Sequence, residues 1–118
     1  FALFRVNIVD FPLVGLRHPF PVAEQLLQRV ARILTEVFGP EAKKAHGGEG
    51  SFTVIVPGRD ISQVQKLRQR LITVLSTNVI NTGEQEVYVK FDMGCAIFPS
   101  DARTAAELWN MAGAFERV

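Results

Sequence analysis

The chain has 118 residues, enough for one domain with a hydrophobic core. Its net charge of +1 argues against nucleic acid or an anionic membrane surface as a partner. Cys95 is the only cysteine, which excludes an internal disulfide and is typical of a reducing compartment. The sequence contains no apolar run long enough to span a membrane, and we expect no signal peptide; it opens at Phe1 inside a strand-like segment. We therefore expect residues 1–118 to form one domain of a longer protein, either cytoplasmic or the cytoplasmic part of a membrane protein.

The first half of the chain predicts a strand, a loop, a helix and a hairpin. A nearly continuous apolar run, Leu3–Val9, is typical of a central strand. Residues 10–21 contain three prolines and one glycine, which predicts a loop. Apolar residues at helical spacing predict a helix over about 21–38. Residues 43–47 and 52–56 are then two strands joined by a glycine-rich turn.

A second helix is predicted over about 61–77. Asp60 can cap it, with Gln63 as the capping-box partner. Its positively charged residues indicate a solvated face rather than a binding patch; they are Arg59, Lys66, Arg68 and Arg70. Its predicted buried stripe is Val64, Leu67, Leu71, Val74 and Leu75.

The C-terminal third predicts a turn over 81–84 and one long strand of alternating apolar residues over 87–97. Thr104 and Glu107 form a second capping box and open a last helix. The predicted inward residues of that helix are Leu108, Met111, Ala112 and Phe115. The order β-α-β-β-α-β plus a final helix predicts an α+β, ferredoxin-like antiparallel sheet with its two crossover helices on one face.

The run from His46 to Phe52 carries Gly47, Gly48 and Gly50 around one acid, Glu49. Glycines let the chain turn tightly and leave backbone amides uncovered. Such a hairpin before a buried strand suits a phosphate or metal site, but it is equally a plain turn, which the residues alone favour.

This run resembles the signature hairpin of the GGDEF family, the diguanylate cyclase domains. With Phe52 as the final signature residue, the motif reads Gly48-Glu49-Gly50-Ser51-Phe52. An alternative begins at Gly47 with one residue inserted; we prefer the first alignment because a one-residue slip would turn the core face of the strand outward. The resemblance extends over nearly the whole chain, through the segments 7–11, 24–27, 57–58, 94–99, 106–108 and 111–112.

The resemblance implies that the chemistry of the family has been lost. The two positions that hold divalent cations in the family carry Asn7 and Gly50 here, although hard cations need anionic oxygen ligands. Glu49 lies one position early and is expected to point to the opposite face. The fourth signature position, also acidic in the family, is Ser51. We therefore expect no metal, no cofactor and no diguanylate cyclase activity.

The nucleotide-contacting positions implied by the resemblance are also altered. The phosphate-contacting lysine of the family is Pro12, and the guanine-reading asparagine is Gly15. Glu24 replaces the aspartate that assists it and is the only chemically plausible survivor. The inhibitory cyclic di-GMP motif, Arg-x-x-Asp, falls on residues 39–42, which contain neither residue.

Isolated cations near these segments have two interpretations. Lys43, Lys44 and His46 could contact a phosphate, but a basic strand edge that discourages aggregation is the simpler interpretation. His18, beside Arg17, could bind an anion, although a loop histidine without function is favoured.

The resulting hypothesis is a catalytically inactive regulatory or protein-interaction domain of a bacterial cyclic di-GMP signalling protein. Its partners would be another protein or neighbouring domains of the same chain; homodimerisation and nucleotide binding stay open. The alternatives are a receptor for GTP or cyclic di-GMP and, last, an RNA-binding module of the RRM type. Trp109, Met111 and Phe115 form either an apolar interface patch or part of the packing against the domain's own sheet.

Overall fold

The computed structural model describes residues 1–18, 20–58, 60–77, 79–82 and 85–118. It contains helices and strands in the following order: β1 (Ala2–Ile8), α1 (Phe11–Arg17), α2 (Phe20–Phe38), β2 (Lys43–His46), β3 (Ser51–Val56), α3 (Ile61–Leu75), β4 (Val79–Thr82), β5 (Gln85–Tyr88), β6 (Phe91–Ile97), α4 (Ala105–Ala112) and β7 (Glu116–Arg117).

The main sheet has the strand order β2-β3-β1-β6-β7, and each neighbouring pair is antiparallel. In central strand β1, Phe4 and Val6 face the large core formed with α2 and α3, whereas Leu3 faces a smaller cluster under α4. This alternation follows from the two-residue period of a strand. The predicted ferredoxin-like α+β architecture is confirmed.

Helix α3 begins at the predicted cap. The Asp60 carboxylate accepts a hydrogen bond from the Gln63 amide (2.8 Å), and the Gln63 side chain accepts one from the Asp60 amide (3.0 Å). Val64, Leu71 and Leu75 are buried and Leu67 is half-buried, as predicted. Val74 is 36% exposed, so its placement in the buried stripe was wrong. Arg59, assigned to the solvated face, lies outside the described residues.

The prediction of a loop over 10–21 was wrong, because residues 11–17 form α1. Pro12 sits in the first turn, where a helix has no use for the missing amide hydrogen. Asp10 takes a left-handed backbone (φ 53°) that turns the chain from β1 into the helix, and buried Val14 anchors it. The proline content therefore wrongly indicated a loop, because this short helix depends on tertiary packing.

The long strand predicted over 87–97 is two strands in different sheets. β5 pairs with β4 in a two-stranded sheet, and β6 pairs with β1 in the main sheet. The Val9 amide donates to the Lys90 carbonyl (2.9 Å). From Phe91 onward, the chain pairs with β1 as strand β6. Asn81 and Thr82, predicted as part of a turn, belong to β4; the rest of that predicted turn, Gly83 and Glu84, lies outside the described residues.

Helix α4 has half of the predicted capping box. The Thr104 hydroxyl accepts from the Glu107 amide (3.1 Å), but the Glu107 carboxylate accepts from Arg103 (3.5 Å) rather than from the cap residue. The helix ends at Ala112, and the chain then adds β7, which the sequence did not predict.

The inward face of α4 is narrower than predicted. Leu108 and Ala112 are buried, but Met111 is 49% exposed, so its inward assignment was wrong. Phe115 is half-buried and lies after the helix has ended. The reason is that only one side of this short helix contacts the sheet. In the part of the chain that the structure describes, no helix is both long and apolar enough to cross a membrane.

Candidate functional site

The glycine-rich hairpin closes tightly between β2 and β3. His46 and Phe52 are the last paired residues, and the Ser51 amide donates to the Gly48 carbonyl (3.0 Å). Three consecutive residues have positive φ angles: Gly48 (84°), Glu49 (51°) and Gly50 (78°). Left-handed backbone is unfavourable for a residue with a side chain, so Glu49 occupies a strained position at the exposed tip.

Gly50 is buried where the hairpin meets β1 and α1. Its carbonyl accepts a hydrogen bond from the Ile8 amide (2.9 Å), which attaches the hairpin to the end of β1. A Cβ atom added at Gly50 would lie 2.8 Å from the Phe11 Cβ and 2.9 Å from its Cγ. The space into which a side chain at position 50 would extend is therefore filled by Phe11.

A polar row crosses the sheet beside the hairpin. Asn7 in β1 lies directly opposite Ser51 in β3 and Asp92 in β6, so the three side chains share one face. Asp92 is the only carboxylate of this row, and it accepts a 2.7 Å hydrogen bond from the Nε of Arg117. The row thus presents one amide, one hydroxyl and one carboxylate that is already ion-paired.

The other sequence-predicted positions are not gathered into one site. Pro12, Gly15 and Glu24 are exposed on α1 and α2, and no heavy atom lies within 4 Å of a Cβ placed at Gly15. Within the described residues, neither Glu24 nor Glu49 makes a hydrogen bond or an ion pair. The described ranges also contain no group of three or more His, Cys, Asp and Glu side chains arranged for a metal ion.

The basic residues beside the hairpin form the exposed edge of the sheet. All four residues of β2 are exposed, and β2 is an edge strand. The Lys44 ammonium donates to the carbonyls of Gly39 (3.1 Å) and Ala42 (2.9 Å), and the His46 ring stacks on Phe52 at a centroid distance of 4.9 Å. These contacts agree with the interpretation of a basic strand edge.

The aromatic residues of the C-terminal segment surround Arg5 on the opposite face of β1 from the core. The Arg5 guanidinium lies 3.7 Å from the centroid of the Trp109 ring and 5.0 Å from that of Phe115. It also donates to the Trp109 carbonyl (3.2 Å), and burial lowers the pKa of Arg5. Trp109 is 45% exposed, so the predicted patch is divided: Trp109 and Phe115 contact Arg5, while Met111 is open to solvent.

Cys95 is half-buried in β6. Burial raises the pKa of its thiol to about 11; the positive charge of Arg68 opposes that shift, and the negative charge of Asp101 adds to it. The thiol is therefore protonated at neutral pH, which agrees with the prediction of a structural residue rather than a nucleophile.

The comparison that identifies the family covers nearly the whole chain. The family model for the diguanylate cyclase GGDEF domain matches residues 2–115. This chain belongs to the GGDEF family. No curated protein sequence matches it significantly.

Solved GGDEF structures have the same fold. The FimX GGDEF domain of Pseudomonas aeruginosa is 22% identical with a TM-score of 0.81, covering 95% of this chain and 69% of that one. A sensory box/GGDEF family protein of Caulobacter crescentus is 25% identical with a TM-score of 0.76, covering 95% of this chain and 72% of that one. The P. aeruginosa diguanylate cyclase SiaD, in complex with its activator SiaC, is 16% identical with a TM-score of 0.75, covering 96% of this chain and 43% of that one.

Two features of this GGDEF domain were not found from the sequence. Phe11 fills the space at Gly50, which requires the unpredicted helix α1 to place its first residue against the hairpin. The Asp92–Arg117 ion pair joins β6 to the unpredicted strand β7. The signal available was weak: Asp92 is a polar residue at an outward position between buried Phe91 and Met93.

Proposed function

We propose that this GGDEF domain does not synthesise cyclic di-GMP and serves as a regulatory or protein-interaction domain of a bacterial, cytoplasmic cyclic di-GMP signalling protein. The observation that carries the proposal is the packing of Phe11 against Gly50. Under the signature alignment preferred above, position 50 is where the family holds a cation-binding acid. A carboxylate there would have to displace the aromatic ring.

The surroundings of Asn7 support the same conclusion. Asn7 offers a neutral carbonyl where the family has a carboxylate, and the nearest acid of the row, Asp92, is paired with Arg117. Two divalent cations normally neutralise the triphosphate and assist the attacking hydroxyl in phosphoryl transfer. A row with one ion-paired carboxylate is a poor site for two hard cations.

A regulatory role is supported by the intact scaffold and by one relative. The GGDEF protein SiaD was solved with an activator protein bound, which shows that a GGDEF-containing protein can have a protein partner. In this chain, Met111 and Trp109 expose apolar surface on α4, and Ile55 exposes apolar surface on β3. The RNA-binding alternative has no support from the family match.

The direct test is a cyclase assay. We expect the purified domain to form no cyclic di-GMP from GTP with Mg²⁺ or Mn²⁺, while a GGDEF domain with all its signature carboxylates does so under the same conditions. Product formed by the wild-type chain would overturn the proposal.

Three variants test the physical reason. Asn7→Asp alone should stay inactive, because it supplies only one of the two missing carboxylates. The double variant Asn7→Asp/Gly50→Glu restores both acids but keeps Phe11. The triple variant adds Phe11→Gly, which removes the Phe11 Cβ and ring that crowd position 50. If Mg²⁺ or Mn²⁺ binds the triple variant more tightly than the double variant in calorimetry, the packing at Gly50 is what excludes the cations; equal binding by these two variants would contradict that reason.

A further inference from the structure

A concavity lies away from the signature hairpin. It has a volume of about 450 Å³ and opens between α1 and the connection from β5 to β6, with Arg117 of β7 at its side. Neither a hairpin residue nor Asn7, Gly15 or Glu24 lines it. This volume is within the range of small-molecule pockets, roughly 300–1,000 Å³.

Positive charges reach this pocket from three separate elements. Arg17 is the last residue of α1, Lys90 lies between β5 and β6, and Arg117 is in β7. Within the described residues, the side chains of Arg17 and Lys90 have no hydrogen-bond or ion-pair partner, and only the Nε of the Arg117 side chain is engaged, by Asp92. Asp10 is the single acidic residue in the lining. The charge balance of the lining therefore favours an anion over a cation.

The remaining lining combines an apolar wall with an exposed aromatic ring. Val14 and Val89 are buried at the base, at 7% and 5% exposure, whereas Tyr88 is 77% exposed at the rim. An exposed ring beside positive charges can stack a planar base while the cations contact a phosphate, and each stacked base contributes appreciably to binding. His18 adds a further polar group.

We propose that this pocket binds a nucleoside monophosphate or a similar phosphate monoester that carries a planar ring. Arg17, Lys90 and Arg117 contact the phosphate, and Tyr88 stacks on the ring. Arginine forms forked, charge-assisted hydrogen bonds to phosphate oxygens, and lysine contributes a point charge. The assignment concerns a different part of the surface from the cyclase signature and stands or falls independently of the cyclase assay.

The test is to titrate the protein with three probes, GMP, guanosine and inorganic phosphate. Binding is measured by the chemical shifts of the backbone amides and by calorimetry. We expect GMP to shift the amides around Arg17 and Lys90 saturably, and to bind more tightly than either guanosine or phosphate. If these amides show no saturable shift at GMP concentrations up to roughly 10 mM, the proposal is overturned, because the dissociation constant would then lie above the millimolar range.

Variants separate the two halves of the site. Arg17→Ala and Lys90→Ala should each weaken GMP and phosphate binding by about tenfold, the size expected for a lost charge-assisted hydrogen bond. Tyr88→Ala should weaken GMP but leave phosphate unchanged. Lys66→Ala, which removes an exposed charge from α3 outside the pocket, is the matched control and should bind like wild type. Equal weakening by Lys66→Ala would show nonspecific charge attraction, and equal affinity for GMP and phosphate would overturn the stacking role of Tyr88; each contradicts the proposed site.

Discussion

The signature hairpin and the contact between α4 and the main sheet each depend on a buried glycine. The two glycines have different consequences for function. At Gly94 in β6, an added Cβ would overlap the backbone carbonyl of Ala112, so the glycine lets α4 lie directly on the sheet. At Gly50, an added Cβ would overlap Phe11. The first glycine keeps the helix in the position that the fold requires. The second occupies a place where the resemblance implies a catalytic acid, so the proposed function is a scaffold kept without the chemistry of the family.

The largest effect is expected at Gly94. Gly94→Val forces a branched side chain against the main chain of α4, which cannot yield as the end of a flexible side chain can. We expect a loss of about 4 kcal/mol or more in the free energy of unfolding, at the upper end of single-mutant effects. Urea denaturation followed by circular dichroism measures it.

Gly15 supplies the control for that substitution. It is a helical glycine with no atom within 4 Å of a Cβ position, so Gly15→Ala should stabilise the domain by about 0.5–1 kcal/mol through helix propensity. If Gly94→Val unfolds at the wild-type urea concentration, α4 does not pack as described.

An intermediate effect is expected at the hairpin. Gly50→Ala adds a left-handed backbone cost of about 1–2 kcal/mol to an overpacking cost of about 1–3 kcal/mol against Phe11. Gly48→Ala, with φ 84° but open space around the Cβ, should show only the backbone cost. The difference in denaturation free energy between the two variants isolates the packing term.

The double variant Phe11→Gly/Gly50→Ala sharpens this comparison, because glycine at position 11 removes the Cβ as well as the ring, both of which lie within 3 Å of the added atom. If Phe11 is the blocking group, the two substitutions are coupled, and the double variant loses less stability than the sum of the single variants. Strict additivity would show that another contact, such as that with Ile8, limits position 50.

The sequence predicted what depends on local pattern. Phe52, Val54 and Val56 alternate as a strand does and are buried, and Asp60 with Gln63 caps α3 as the pattern indicated. Helix α1 was missed because its seven residues are too few for stability from propensity and rely on buried Val14. The division between β5 and β6 was missed because the alternation of apolar and polar residues does not show which strand a segment pairs with. β5 pairs with β4, whereas β6 pairs with β1.

For the candidate site, the sequence supplies residue identities but not contacts. The assignment of Asn7 and Gly50 to the cation positions depends on the resemblance and stays a prediction. That Phe11 fills the space and that Arg117 pairs with Asp92 could not be predicted, since both contacts join segments far apart in the chain.

The smallest expected effect concerns the contact between Arg5 and the Trp109 ring, on the side of the main sheet that α4 covers. Trp109→Leu keeps an apolar, helix-compatible side chain but removes the ring whose centroid lies 3.7 Å from the Arg5 guanidinium. The expected loss is about 0.5–1 kcal/mol, the size of a cation–π contact at a partly exposed site. Met111→Leu is the control on the same helix: Met111 is 49% exposed, and we expect a change within about 0.5 kcal/mol.

The same substitution in an Arg5→Leu background tests the contact. If Trp109→Leu lowers the free energy of unfolding equally in that background, the contact with Arg5 is contradicted, because no cation then lies beside the ring. If Trp109→Leu has no effect there, Trp109 is part of the domain's own packing, and Met111 is the more available residue of the predicted patch for a partner.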